Sequence, residues 1–372
     1  MQSLEVIDFL LFLGISQGLF LAITIQFIKN KNKPANILLS VILVLAVIML
    51  LGRIIFFRFL TIRMFQWTIL IDAIIFLFGP LCYMYFRRLA FSENINFKLS
   101  WVHYIPVGIH VLFSFYVLWF GVEEFSEKLS SGFFKVPFLI IEGVGIISNF
   151  YYWILNVKLL KRYIKEEKNA ISYKQSLVSF LKLFQLSVGV FLILWLVSFI
   201  VPRLLNYPIG FINYNSVWGA ISIFIFVVGY YSLKEPQLFR VSLKKNKPET
   251  QQRLPETKIA FLEKEMKRLI EEEKMFLKPN LTLRDLSEEL ETSTHNISWY
   301  LNTISKSNFY DYINHYRIKE FLKKIENGEH HRHTILALSL ESGFNSKSTF
   351  NKAFKFEMND TPSNYIKKLK IA

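Results

Sequence analysis

The stretch ALSLESGFNSKSTFNKAFKFEMNDTPSNY, residues 337–365, reads as the end of one short helix, a tight turn, a second helix and the start of a third. Ile335 and Leu338 share the inward face of the first helix. Gly343 permits the turn, because a residue without Cβ takes backbone angles closed to others. Phe344 follows as a core plug. In the second helix Phe350 and Phe354 point inward, one turn apart. The opposite face shows Lys347, Ser348, Asn351, Lys352 and Lys355. Thr361-Pro362 opens the third helix, with threonine as cap and proline at the first position, where a missing N–H costs nothing.

Working outward toward the N-terminus, the same architecture appears once more. In LTLRDLSEELETSTHNISWYLNTIS, residues 281–305, Thr282 caps a helix with Asp285 three residues on. Leu283, Leu286 and Leu290 form its inward face. A second helix, about Thr294 to Ile304, buries Ile297, Tyr300 and Leu301. Between the two pairs runs a long helix, roughly Phe309 to Ile325, with Tyr312, Ile313, Tyr316, Phe321 and Leu322 at helical spacing. It ends at Asn327-Gly328, where glycine suits a left-handed C-cap.

The ordered set of Ala337, Gly343-Phe344, Phe350, Phe354-Lys355 and Thr361-Pro362, preceded by RIKEFLKKI at 317–325, resembles the AraC/XylS family of bacterial transcription regulators. The resemblance reaches back to about Leu281. It implies two helix-turn-helix units joined by a long helix, with both second helices in successive major grooves of one DNA face. By that resemblance Lys347, Ser348, Asn351 and Lys352 read base edges in the second unit, and Lys355 meets phosphate. The matching positions of the first unit are His295, Asn296, Ser298 and Trp299. Two residues depart from the family pattern. Trp299 stands where many relatives carry arginine, and indole cannot pair with guanine in bidentate fashion. Phe321 stands where a small residue is usual. The tail is also barely basic: about 13 Lys and Arg against about 11 Asp and Glu over 281–372 leave about +2.

The rest of the chain is of another kind. Of its 372 residues 52% are hydrophobic, including 37 Phe, and they crowd into residues 1–233. Seven apolar runs are long enough to cross a bilayer, which takes roughly 20 residues. They lie at about 4–28, 36–58, 67–89, 101–121, 136–160, 177–202 and 214–233. The first is too long and too weakly basic at its start for a signal peptide. The loops after spans one, three and five hold Lys29, Lys31, Lys33, Arg87, Arg88, Lys98, Lys158, Lys161, Arg162, Lys165, Lys168 and Lys174. The other side holds Arg53, Arg58, Arg63, Lys128, Lys135 and Arg203. The positive-inside rule therefore places the N-terminus outside and the C-terminal domain in the cytoplasm.

Charges inside spans are costly. Arg53, Asp72 and Glu142 all fall in the outer half of the bilayer on this orientation. They read either as an ion pair joining helices or as a polar ligand pocket open to the exterior. Pro80 and Pro106 are expected to kink their spans. His103 and His110 read as hydrogen-bonded histidines. Cys82 is the only cysteine, so neither an internal disulfide nor a cysteine-based zinc site is available. No HExxH or GxSxG pattern occurs. The EHHRH run at 329–333 reads as a solvated or phosphate-facing loop rather than a metal site.

After span seven comes a polar linker with three prolines, whose basic residues suit anionic headgroups. Ile259, Leu262, Met266, Leu269 and Ile270 then mark an amphipathic helix that packs on the tail or pairs with its copy. The chain thus reads as all-α: a seven-span transmembrane sensor domain (1–236), a juxtamembrane linker and helix (237–280), and a double helix-turn-helix domain (281–372). The function this implies is a membrane-tethered, sequence-specific transcription regulator in a bacterial inner membrane. It is not an enzyme and needs no cofactor. Its partners are promoter double-stranded DNA, membrane lipid, a second copy of the chain, and a small-molecule or protein signal. The rival reading is a transporter or channel with a regulatory helical tail.

Overall fold

The computed structural model describes residues 5–27, 33–58, 61–91, 97–172, 176–205, 207, 214–234 and 254–369. Lys29, Lys31, Lys174 and the polar linker over 235–253 lie outside them. Among the described residues the chain is helical without a strand, and an isolated bridge joins Ile171 to Thr282. Contacts divide it into two compact units, Met1–Lys161 with Ser176–Lys245, and Arg162–Gln175 with Asn246–Ala372.

The first unit holds α1 (Val6–Phe27), α2 (Lys33–Arg58), α3 (Ile62–Ile71), α4 (Ile75–Ala90), α5 (Ile105–Leu118), α6 (Val122–Ser130), most of α7 (Lys135–Ala170), α8 (Ser176–Arg203) and α9 (Tyr214–Lys234). Seven helical stretches, with α3 and α4 counted as one, are long and apolar enough to cross a membrane. Their outward faces expose Phe9, Phe20, Leu112, Phe115, Leu186 and Ile193. So much apolar surface fits a hydrocarbon surround and not water.

Three details differ from the sequence expectation. Helix α7 does not end with its apolar run near 160 but continues to Ala170. Its polar extension is made of helix formers, and Arg162 pairs with Glu166 one turn later at 2.8 Å. Pro106 does not kink a span. It sits in the first turn of α5, where no N–H is missed. An unforeseen short helix, α6, forms over 122–130 and buries Phe125 among Ile69, Val117 and Phe134.

Span three is broken where α3 meets α4, by a 3-10 turn over Asp72–Ile74. Neighbouring side chains serve the carbonyls beside the break. Ile69 O accepts from His110 Nε2 at 2.8 Å and from Ser114 Oγ at 3.4 Å, and Ile75 O accepts from Asn149 Nδ2 at 2.9 Å. In hydrocarbon such replacement donors are what allow a helix to break.

The second unit contains α10 (Glu256–Lys267), α11 (Leu283–Glu289), α12 (Thr294–Thr303), α13 (Phe309–Glu326), α14 (Ile335–Glu341), α15 (Lys347–Met358) and α16 (Pro362–Leu369). One core joins Leu262, Met266 and Ile270 to Leu286, Ile297, Leu301 and Ile313, so the amphipathic helix α10 packs on the tail. The other gathers Ile318, Phe321 and Ile325 with Leu338, Phe344, Phe350 and Phe354. Phe321 fills space here, its ring centroid 4.6 Å from that of Phe350. Helix α13 thus contributes one end to each core.

Thr282 forms the expected capping box, its hydroxyl accepting from Asp285 N–H while Asp285 Oδ2 accepts from Thr282 N–H at 2.7 Å. Burial works to raise the Asp285 carboxyl, but the Thr282 donors and the Lys278 ammonium outweigh it and hold it below its ordinary value of 3.8. A depressed carboxylate stabilises the fold above its unfolded pKa and loses that contribution as pH falls through the folded one. Thr282→Ala is expected to cost about 1 kcal/mol at neutral pH. The difference from wild type should shrink below pH 3.8, as denaturant titrations at neutral and acid pH would read.

Candidate functional site

The two helix pairs of the second unit are built by local signals. Ser293 Oγ accepts from Asn296 N–H at 3.2 Å to start α12, Thr334 Oγ1 from Ala337 N–H at 3.1 Å to start α14, and Ser346 Oγ from Thr349 N–H at 3.3 Å to start α15. The turn between α11 and α12 passes through Glu291 at φ 46°, and that between α14 and α15 through Gly343 at φ 91°.

On α15 the faces separate cleanly. Thr349, Phe350, Ala353 and Phe354 are buried, whereas Lys347, Ser348, Asn351, Lys352 and Lys355 are exposed. On α12 the corresponding residues are only half-exposed and already engaged. Asn296 Nδ2 donates to Thr292 Oγ1 at 3.0 Å, and Ser298 O and Oγ accept from Asn302 Nδ2 at 2.7 and 3.3 Å. Trp299 packs against the core that includes α10. His295 Nε2 is enclosed without a hydrogen-bond partner among the described residues. The two faces therefore differ in character, with exposed polar groups on α15 and a held, partly apolar surface on α12.

The family description "Helix-turn-helix domain" matches residues 286–368. These residues form an AraC-type helix-turn-helix domain. No curated protein and no solved structure matches the chain. The AraC-type domain makes the chain a DNA-binding transcription regulator.

The AraC-type domain is not self-contained. Residues 162–175, from the end of α7 onward, belong to the same unit. Ile171 and Ser172 are buried there. Ser172 donates from N–H and Oγ to Leu281 O at 3.3 and 2.8 Å. Its own carbonyl accepts from Asn314 Nδ2 at 3.1 Å and Arg317 Nη1 at 3.2 Å. Lys168 lies 3.7 Å from Asp311 and over the Tyr310 ring. Arg317 is fully buried at the middle of α13. It donates to Phe276 O at 2.8 Å and Lys278 O at 2.7 Å, besides Ser172 O, and faces the Phe344 ring. Burial pushes its guanidinium down to about 10, which leaves it charged at neutral pH. Sequence reasoning missed this hub, because an arginine on an amphipathic helix reads as solvated.

The 329–333 run serves the end of α13. Gly328 takes φ 76°, Lys324 meets Glu329 at 3.2 Å, and the His330 ring donates from Nδ1 to Ile325 O at 3.1 Å.

In the first unit, Arg53, Asp72 and Glu142 line one cavity of about 360 Å³, together with His110, Arg203 and Tyr214. That volume is in the range of small-molecule sites. Glu142 is well served: Oε1 accepts from Tyr214 OH at 2.6 Å and Trp195 Nε1 at 3.0 Å, and Arg203 lies 3.7 Å from Oε2. Arg53 donates to Asn215 Oδ1 at 2.5 Å and feels the charge of Glu5. The Asp72 side chain makes no hydrogen bond or ion pair among the described residues. Protein surrounds it, yet it keeps accessible surface, because that surface faces the cavity. Arg203 and Tyr214, which sequence reasoning left out of the site, lie 61 and 72 residues from Glu142 in the chain. Only a basic residue at the end of one span and an aromatic one at the start of the next signalled them.

Proposed function

We propose that the protein is a membrane-anchored, sequence-specific transcription regulator. The segment before span one lies outside and the AraC-type domain lies in the cytoplasm. The single observation that carries this reading is α7, one helix with an apolar span at its start and, at its end, residues built into the DNA-binding unit. A signal taken up in the cavity shifts α7, and Lys168 to Ser172 alter the seat of α13 between its two helix-turn-helix pairs. Such a signal acts only by binding two states unequally. On DNA, Lys347, Ser348, Asn351 and Lys352 read base edges and Lys355 holds phosphate. His295, Asn296, Ser298 and Trp299 supply a weaker contact with apolar character, suited to thymine methyl groups.

The orientation is tested by cysteine labelling, which the buried Cys82 leaves with a low background. A membrane-impermeant maleimide applied to intact cells should label Ser130→Cys on α6 but not Glu326→Cys on α13. Lysis should make Glu326→Cys reactive. Labelling of Glu326→Cys in intact cells would put the domain on the side without DNA and end the proposal.

A further inference from the structure

The cavity of the first unit has one carboxylate that no donor serves among the described residues. Glu142 has three donors around it, Arg53 has Asn215 and the charge of Glu5, and Arg203 has Glu142. Asp72 has none among the described residues. It sits on the 3-10 break of span three, and its surface opens into the cavity. A second acceptor stands in the same wall. His110 Nε2 faces the carbonyl of Ile69 and must donate to it, so Nδ1 of the neutral ring is an acceptor, and it is buried without a partner. A carboxylate in a membrane-embedded cavity is costly without a counter-charge. The rest of the lining is mainly apolar, with aromatic rings from Phe65, Phe138, Phe191 and Trp218 among aliphatic side chains. Ring faces attract cations, most strongly where water is excluded. A carboxylate with open acceptor capacity in an apolar wall that includes aromatic rings is complementary to a donor that is positively charged and carries an apolar body.

We propose that this cavity binds an organic ammonium ion, with its cationic nitrogen on the Asp72 carboxylate and its apolar body among Phe65, Phe138, Phe191 and Trp218. The proposal rests on the reading of the cavity as the signal site and names the class of signal. An anion meets two carboxylates, Asp72 and Glu142, in the same wall, and Arg203 already lies on Glu142. A neutral compound leaves Asp72 without a counter-charge. The break in span three gives the ion a mechanical handle, since a 3-10 turn held by side chains of α5 and α7 changes pitch at smaller cost than an intact helix.

The test uses the full-length protein in detergent and three probes of similar shape: phenethylammonium, 2-phenylethanol and 3-phenylpropionate. Melting temperature and tryptophan fluorescence are read together, because Trp195 and Trp218 line the cavity. Phenethylammonium should raise the melting temperature and change the fluorescence saturably, and the other two should do neither at the same concentration. Asp72→Asn keeps the shape and removes the charge, and should weaken ammonium binding by roughly tenfold or more. Its unliganded melting curve checks that it folds. The proposal is overturned if no probe saturates, if the alcohol or carboxylate binds as tightly as the ammonium, or if Asp72→Asn binds ammonium like wild type. Promoter occupancy of the unliganded protein is measured separately. If it survives a failed probe test, the regulator reading stands and only the ligand class falls.

Discussion

Leucine at position 317 is expected to destabilise the DNA-binding unit by about 2–5 kcal/mol, since each buried carbonyl left without a donor costs about 1–3 kcal/mol. Arg317→Leu fits the volume of the site, so the loss comes from the carbonyls it abandons. Phe276 O, Lys278 O and Ser172 O are all served by this one guanidinium. Leu cannot donate, and an unpaired buried carbonyl bears its full desolvation cost. Arg317→Lys should recover part of the stability, since one ammonium can reach some of the carbonyls but cannot span them as a planar fork does. Denaturant unfolding followed by the far-ultraviolet signal would read both variants. A cost for Arg317→Leu within about 0.5 kcal/mol, typical of a surface site, would show that the network does not hold the unit together.

Gly343→Ala is expected to cost about 2–4 kcal/mol, for two reasons that add. At φ 91° a side chain is strained, and a Cβ there would lie 2.5 Å from Phe276 O and 2.8 Å from Leu277 Cα. Strained backbone costs about 1–3 kcal/mol and overpacking about as much. The obstructing atoms are backbone, so the segment over 276–278 has to move. Phe276 O is also an acceptor of Arg317, so the two substitutions strike one contact from opposite sides. Their combined cost should fall short of the sum, as for residues in one network. Full additivity in a double-mutant cycle would separate the turn from the hub.

The parts of the fold that a reader of the sequence can recover are those with local causes. The spans show because hydrocarbon demands long apolar runs, and all seven are there. The capping box at Thr282 and Asp285 and the left-handed glycines at 328 and 343 show because each depends on a few neighbouring residues. The packing of Phe321 on Phe350 follows from the same patterning, with a large residue filling the second core.

What escapes is set by contacts distant in the chain. Nothing in KNAIS announces that Ser172 will bond Leu281 and accept from Arg317, more than 100 residues away. The apolar run of span five stops near 160, but helix propensity does not, and the extension follows propensity. Around the cavity, Arg53, Asp72 and Glu142 are legible because charge in a span is conspicuous. The division of labour among them is not, since Tyr214, Trp195 and Arg203 come from other helices to serve Glu142 alone. The polar face of α15 is legible through its exposed lysines. The engagement of Trp299 with the core under α10 is not, because an exposed and a packed indole share one spacing on the helix.

The most direct measurement is DNA occupancy across the genome for the full-length, membrane-inserted protein, beside Lys347→Ala/Lys352→Ala. Both lysines are exposed on α15, away from the buried face, so the double variant should fold and insert normally. A lost base-edge contact costs about 1–3 kcal/mol, and two together should erase discrete peaks. Wild type is expected to give such peaks at promoters, and the variant is expected to lose them at equal membrane abundance. Wild-type protein that is folded and abundant in the membrane yet shows no peaks, or peaks that persist unchanged in the variant, would contradict DNA reading by α15.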